Sequence, residues 1–69
     1  LGFTYKPLWK LLIDRGMKKK DLKEQIALHS TTIAKMGRDE FVAMEVLDKI
    51  CNHFNCRIED IIEHIPDEE

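Results

Sequence analysis

A chain of 69 residues has room for one modest core, because at this size folding buries only about 60% of the surface the unfolded chain exposes, which argues against a deep catalytic cleft. With 43% hydrophobic and 35% charged residues it has the make-up of an ordinary soluble domain, and no apolar run approaches the roughly 20 residues of a membrane span. The net charge of −2 conceals an asymmetry: residues 1–38 carry nine Lys/Arg against three acids, +6, and residues 39–69 carry two against ten, −8, so a polyanion is expected to meet the first half while the second faces away.

In chain order, residues 2–6 alternate, with Phe3 and Tyr5 on one side. This pattern predicts a short strand whose expected partner is 63–65, in the same chain or in a second copy. Lys6 and Lys10 interrupt the apolar stretches near the start, so no secretory signal is read and the expected location is cytoplasmic. Pro7 suits the first position of a helix, and Leu8, Trp9, Leu11, Leu12 and Ile13 give that helix an apolar face until Gly16, a natural left-handed stop. The first helix is therefore expected at about 7–15.

Residues 18–27 place Leu22 and Ile26 four apart among charges, a short amphipathic second helix without a good N-cap but with Asp21 in its first turn. The run Ser30-Thr31-Thr32-Ile33-Ala34-Lys35-Met36-Gly37 predicts a short third helix, with Ser30 as cap, Ile33 and Met36 inward and Gly37 as terminator. From 43 to 54, Met44, Val46, Leu47, Ile50, Cys51 and Phe54 recur at helical spacing, and Asn55 can end this fourth helix. A fifth helix is expected at about 57–63, with Ile58, Ile61 and Ile62 on one side, before Pro66 blocks continuation.

Two short helices about three residues apart, the second showing small hydroxyl side chains and the first rich in lysine, form the layout of a major-groove reader. Only in that groove does each base pair present a distinct donor and acceptor pattern, and short side chains let the helix axis approach it. A lysine run by itself is usually a solvated face, and a hydroxyl cluster a capped helix start. Their juxtaposition gives the pattern its meaning.

The blocks Leu8-Trp9-Lys10-Leu11-Leu12-Ile13-Asp14, Gly16-Met17-Lys18-Lys19-Lys20-Asp21-Leu22, Ser30 to Gly37, Val46-Leu47 with Lys49-Ile50-Cys51, Asn55-Cys56, Asp60-Ile61 and Ile65-Pro66-Asp67-Glu68 together resemble the small regulators of the Cro/repressor (Cro/C1-type) helix-turn-helix superfamily. The resemblance covers nearly the whole chain. It implies an all-α, compact five-helix, lambda-repressor-like DNA-binding domain over 1–69, with the helix-turn-helix at about 19–36 and the short terminal β pairing added. It further implies that 19–27 is the positioning helix and 30–36 the recognition helix. Ser30, Thr31, Thr32 and Lys35 then face base edges, Lys18 and Lys19 meet phosphates, and Lys20, Lys23 and Arg38 are further candidates for the DNA backbone. Leu22, Ile33 and Leu47 fall at core positions.

The sequence departs from the superfamily pattern at four places. Lys23 stands where the packed helices usually have a small residue, Ala27 replaces the turn glycine, His29 occupies a frequent cap position, and Asp39 and Glu40 stand where many relatives have bases. The expected partners are double-stranded DNA and a second copy of the chain, with a sequence-specific transcriptional regulator as the expected function. The alternative is a protein-interaction module on the same fold that uses Phe41 or the terminal strand.

No Ser/His/Asp grouping, phosphate-cradling glycine loop or isolated carboxylate pair points to catalysis, so no enzyme, cofactor or small-molecule ligand is expected. His29, His53 and His64 are scattered, and His53 with Cys56 makes at most half a metal site. Cys51 and Cys56 read as two small buried hydrophobes, not a disulfide framework. Trp9 is expected in the core or an interface, and Phe41 falls outside the periodic core.

Overall fold

The structure, a computed structural model, describes residues 2–67. Its elements are β1 (Gly2–Thr4), α1 (Lys6–Asp14), α2 (Lys19–Gln25), α3 (Ser30–Gly37), α4 (Met44–Phe54), a single 3-10 turn (Ile58–Asp60) and β2 (Glu63–Ile65). Glu68 and Glu69, the end of the acidic tail, lie outside the described residues.

Each of the four helices is followed by a residue in the left-handed region: Gly16 (φ 67°), Ala27 (φ 64°), Asp39 (φ 57°) and Asn55 (φ 51°). The next N–H then turns back to satisfy a carbonyl of the last turn, Met17 to Leu12 at 2.8 Å, Leu28 to Leu22 at 3.3 Å, Glu40 to Lys35 at 2.9 Å and Cys56 to Cys51 at 3.1 Å. This is how a short helix stops sharply without leaving orphan carbonyls. Glycine takes such a conformation freely, Asn and Asp tolerate it, and alanine pays for its Cβ.

The helices bury one shared cluster in which Leu8 and Leu12 of α1, Leu22 of α2, Met36 of α3 and Leu47, Ile50 and Phe54 of α4 meet Tyr5, Leu28 and Ile61. Trp9, Ile33 and Val46 pack half-buried against it. Arg15, just past α1, reaches α4: its guanidinium lies 5.5 Å over the Phe54 ring and its Nη2 donates to the Phe54 carbonyl at 3.4 Å. A cation at that helix C-terminus also meets the negative end of the helix dipole.

β1 and β2 pair antiparallel within the chain, with Gly2 opposite Ile65, Phe3 opposite His64 and Thr4 opposite Glu63. The strands are held down by the turn after α3. Asp39 accepts from the Thr4 hydroxyl at 3.0 Å and from the Tyr5 N–H at 3.1 Å, and the Tyr5 hydroxyl donates to the Glu40 carbonyl at 2.8 Å. Burial raises the Tyr5 hydroxyl pKa above its ordinary value and nearby Asp39 adds to the shift, so the phenol stays a donor.

Several sequence expectations are corrected. The fifth helix is only the 3-10 turn, because residues from 63 onward are extended to pair with β1, leaving too few between the Asn55 turn and β2 for a helix to repay its nucleation. α2 ends at Gln25, not at residue 27, and α1 begins one residue before Pro7. His29, with extended backbone (φ −67°, ψ 144°), is the residue before α3, and Ser30 is its first helical residue without a cap. Gly37 is the last residue of α3, and the left-handed step falls two residues later at Asp39. Ile13 and Met44, assigned inward by periodicity, are exposed.

Candidate nucleic-acid interface

The start of α2 is set by Asp21, whose carboxylate accepts the Lys18 N–H at 2.8 Å, satisfying one donor that the helix itself cannot. Lys18 is therefore the extended residue before the helix and Lys19 its first residue. After Gln25 the chain needs only residues 26–29 to turn into α3. Ala27 supplies the left-handed step and buried Leu28 anchors the connection.

On α3, Met36 is fully buried and Ile33 half-buried. At about 100° per residue, Ala34, Thr31 and Ser30 lie on the side away from Met36, and Lys35 flanks them. All four are exposed. Thr32 is turned only about 40° from Met36 and is half-buried, so it stands at the edge of this face and not on it. Ala34 was missed as a surface residue, although its position three after Thr31 marks it. Its methyl is the kind of group that meets a thymine methyl.

Lys18, Lys19, Lys20, Lys23 and Lys35 are all exposed, and none forms an ion pair among the described residues. Lys23 reaches solvent, so its bulk does not intrude between α2 and α3. The Lys19 ammonium lies 4.5 Å over the Trp9 ring, and a Cβ added at Gly37 would come within 3.5 Å of it. It thus sits where α1, α2 and the C-terminal end of α3 converge, held by a cation–π contact that limits its wandering while leaving its donors to solvent.

Arg38 differs from the lysines. Its Nε donates to Glu40 Oε2 at 2.6 Å. The bond from Arg38 holds the Glu40 carboxyl below the usual glutamate range and raises the arginine in turn. The acids that stand where bases were expected therefore have local duties, Asp39 fastening β1 to the turn and Glu40 pairing Arg38. The sequence gives little sign of this, since Asp39 binds groups 34 and 35 residues away.

The described residues include no group of three His, Cys, Asp or Glu that could hold a metal ion, and no helix is long and apolar enough to cross a membrane. Cys51 and Cys56 are free and half-buried, and burial raises the Cys56 thiol above its ordinary pKa.

A family model, the Cro/C1-type helix-turn-helix DNA-binding domain, matches residues 7–67. Among solved structures, the crystal structure of transcriptional regulator VanUg, Form II, is similar over 96% of this chain and 88% of that one, with 47% identity and a TM-score of 0.91. No curated protein matches the chain.

Proposed function

The chain belongs to the Cro/C1-type helix-turn-helix DNA-binding domain family, and on that premise we propose that it is a sequence-specific transcriptional regulator, not an enzyme, that reads duplex DNA with α3 in the major groove. The observation that carries this reading is the outer face of α3: small side chains at Ser30, Thr31 and Ala34, two of them hydroxyls, bordered by lysines that form no ion pair among the described residues. A close approach to base edges needs the first property, and attraction to phosphates the second.

In this reading Ser30, Thr31 and Lys35 contact base edges and Thr32 acts from the rim. Lys18 and Lys19 take phosphates, with Trp9 keeping Lys19 in place. Lys20, Lys23 and Arg38 extend the basic border, Arg38 by leaving Glu40 for a phosphate. The unit is the whole of residues 1–69, acting as a homodimer on half-sites ~34 Å apart.

The roles are separable by substitution. Thr31→Ala is expected to narrow the gap between operator and random DNA by a factor matching ~1–3 kcal/mol, whereas Lys19→Ala weakens both alike and lowers the salt slope by about one. Equal losses on both DNAs for both variants would refute these assignments.

A further inference from the structure

Beyond the turn that follows α3 the surface changes character. A groove of about 450 Å³ opens there, with Tyr5 and Leu47 at its base and Phe3, Phe41, Met44 and Ile58 around it. Phe41 and Met44 are each 72% exposed, and Phe3, Ile58 and Ile65 are also open to solvent. Among the described residues no charged side chain lines the groove.

We propose that this face is the surface on which a second copy of the chain docks, a step that rests on the DNA-reading function above and names the contact it requires. Knob and hole lie side by side on it, so a two-fold arrangement can place Phe41 of each copy in the groove of the other, as an isologous interface requires. At the areas typical of large apolar side chains, the four exposed ones that line the groove, Phe3, Phe41, Met44 and Ile58, present on the order of 400 Å². With a polar rim, that suffices for the apolar centre of an interface burying roughly 800 Å² per partner. Exposed Ile13 on α1 stands apart from this patch and is the scattered kind that needs no partner.

Position supports the choice of a second copy over an unrelated partner. Phe41 follows the last residue of α3 by four positions and precedes α4 by three. Phe41 is thus tied to α3 and α4 by short connections, and a two-fold pair formed on this face would hold the two α3 helices at a fixed spacing, as paired half-sites require. Two copies each of net charge −2 repel, and salt screens that repulsion but does not weaken the apolar contact. Self-association is thus expected to hold or tighten as salt rises, the reverse of DNA binding.

The test is sedimentation equilibrium of the full chain at low and high salt, for the wild type, Phe41→Glu and Met44→Lys, with circular dichroism reporting the fold. Met44→Lys is included because Phe41 also leans over Gly2 and Phe3. The wild type is expected to dimerise without loss at high salt, and each folded variant to dimerise at least tenfold more weakly. A wild type that stays monomeric while saturating DNA, or variants that dimerise as tightly as the wild type, would overturn the surface and leave the DNA reading standing. A pair that forms through this face yet binds no DNA would instead refute the function. Monomers that bind a different protein through Phe41 would also overturn the proposal.

Discussion

Ala27→Gly offers the sharpest check on how the helix-turn-helix is built. Ala27 sits at φ 64° between α2 and α3, its side chain is exposed, and so removing the methyl forfeits no core packing. The left-handed conformation costs an L-residue roughly 1–2 kcal/mol that glycine does not pay, while glycine's greater freedom in the unfolded chain returns about 0.4–1 kcal/mol of that gain. The net expectation is a stabilisation of about 0.5–1 kcal/mol. For a domain of this size that raises the melting temperature by about 3–6 °C.

Gly16→Ala is the mirror experiment. Gly16 has φ 67° and nothing within 4 Å of an added Cβ, so the change is steric in the backbone alone and is expected to destabilise by about the same amount. Thermal melts followed by circular dichroism read both variants. An Ala27→Gly protein that melts lower than the wild type would refute the reasoning, since glycine would then be acting only through its entropy.

Two further substitutions probe the turn after α3. Asp39→Ala removes the acceptor for the Thr4 hydroxyl and the Tyr5 N–H and puts alanine at φ 57°, so urea unfolding should show a loss of about 2 kcal/mol. A loss within error of zero would mean the β1 tether is not held by this carboxylate. Titrated by NMR, Glu40 should ionise below the usual glutamate range because Arg38 donates to it, and Arg38→Ala should move the midpoint upward. The sign follows from the lowered folded-state pKa: the pair's contribution is complete above the ordinary glutamate pKa and is lost as pH falls through the depressed one. A Glu40 midpoint unmoved in Arg38→Ala would contradict the pairing.

Local stops and long helical periods were legible in the sequence. Gly16 and Asn55 announce their turns, Ala27 takes the left-handed step its alignment with a turn glycine implies, and the alternation at 2–6 announces a strand, which ends at Thr4 and pairs with 63–65 of the same chain, one of the two partners expected. Leu22 and Leu47 are buried as the superfamily pattern implies. What failed to show depends on contacts between distant residues. The apolar spacing of 57–63 fits a helix, yet pairing with β1 claims its end and leaves a 3-10 turn. Periodicity counts Ile13 and Met44 as apolar without saying which element covers them, and none does. At the candidate interface the lysines and hydroxyls stood out by type and spacing, but the half-burial of Thr32, the exposure of Ala34 and the hold of Trp9 on Lys19 emerge only once α1, α2 and α3 are packed.

The most direct test of the central claim is binding of the purified chain to random duplex DNA and to the region upstream of its own gene, titrated with salt at fixed protein concentration. The account predicts preference for one sequence and an affinity that falls steeply as salt rises, each phosphate-contacting lysine contributing about one unit of slope. Absence of binding to either DNA at low salt would contradict it and favour a protein-interaction module on the same fold.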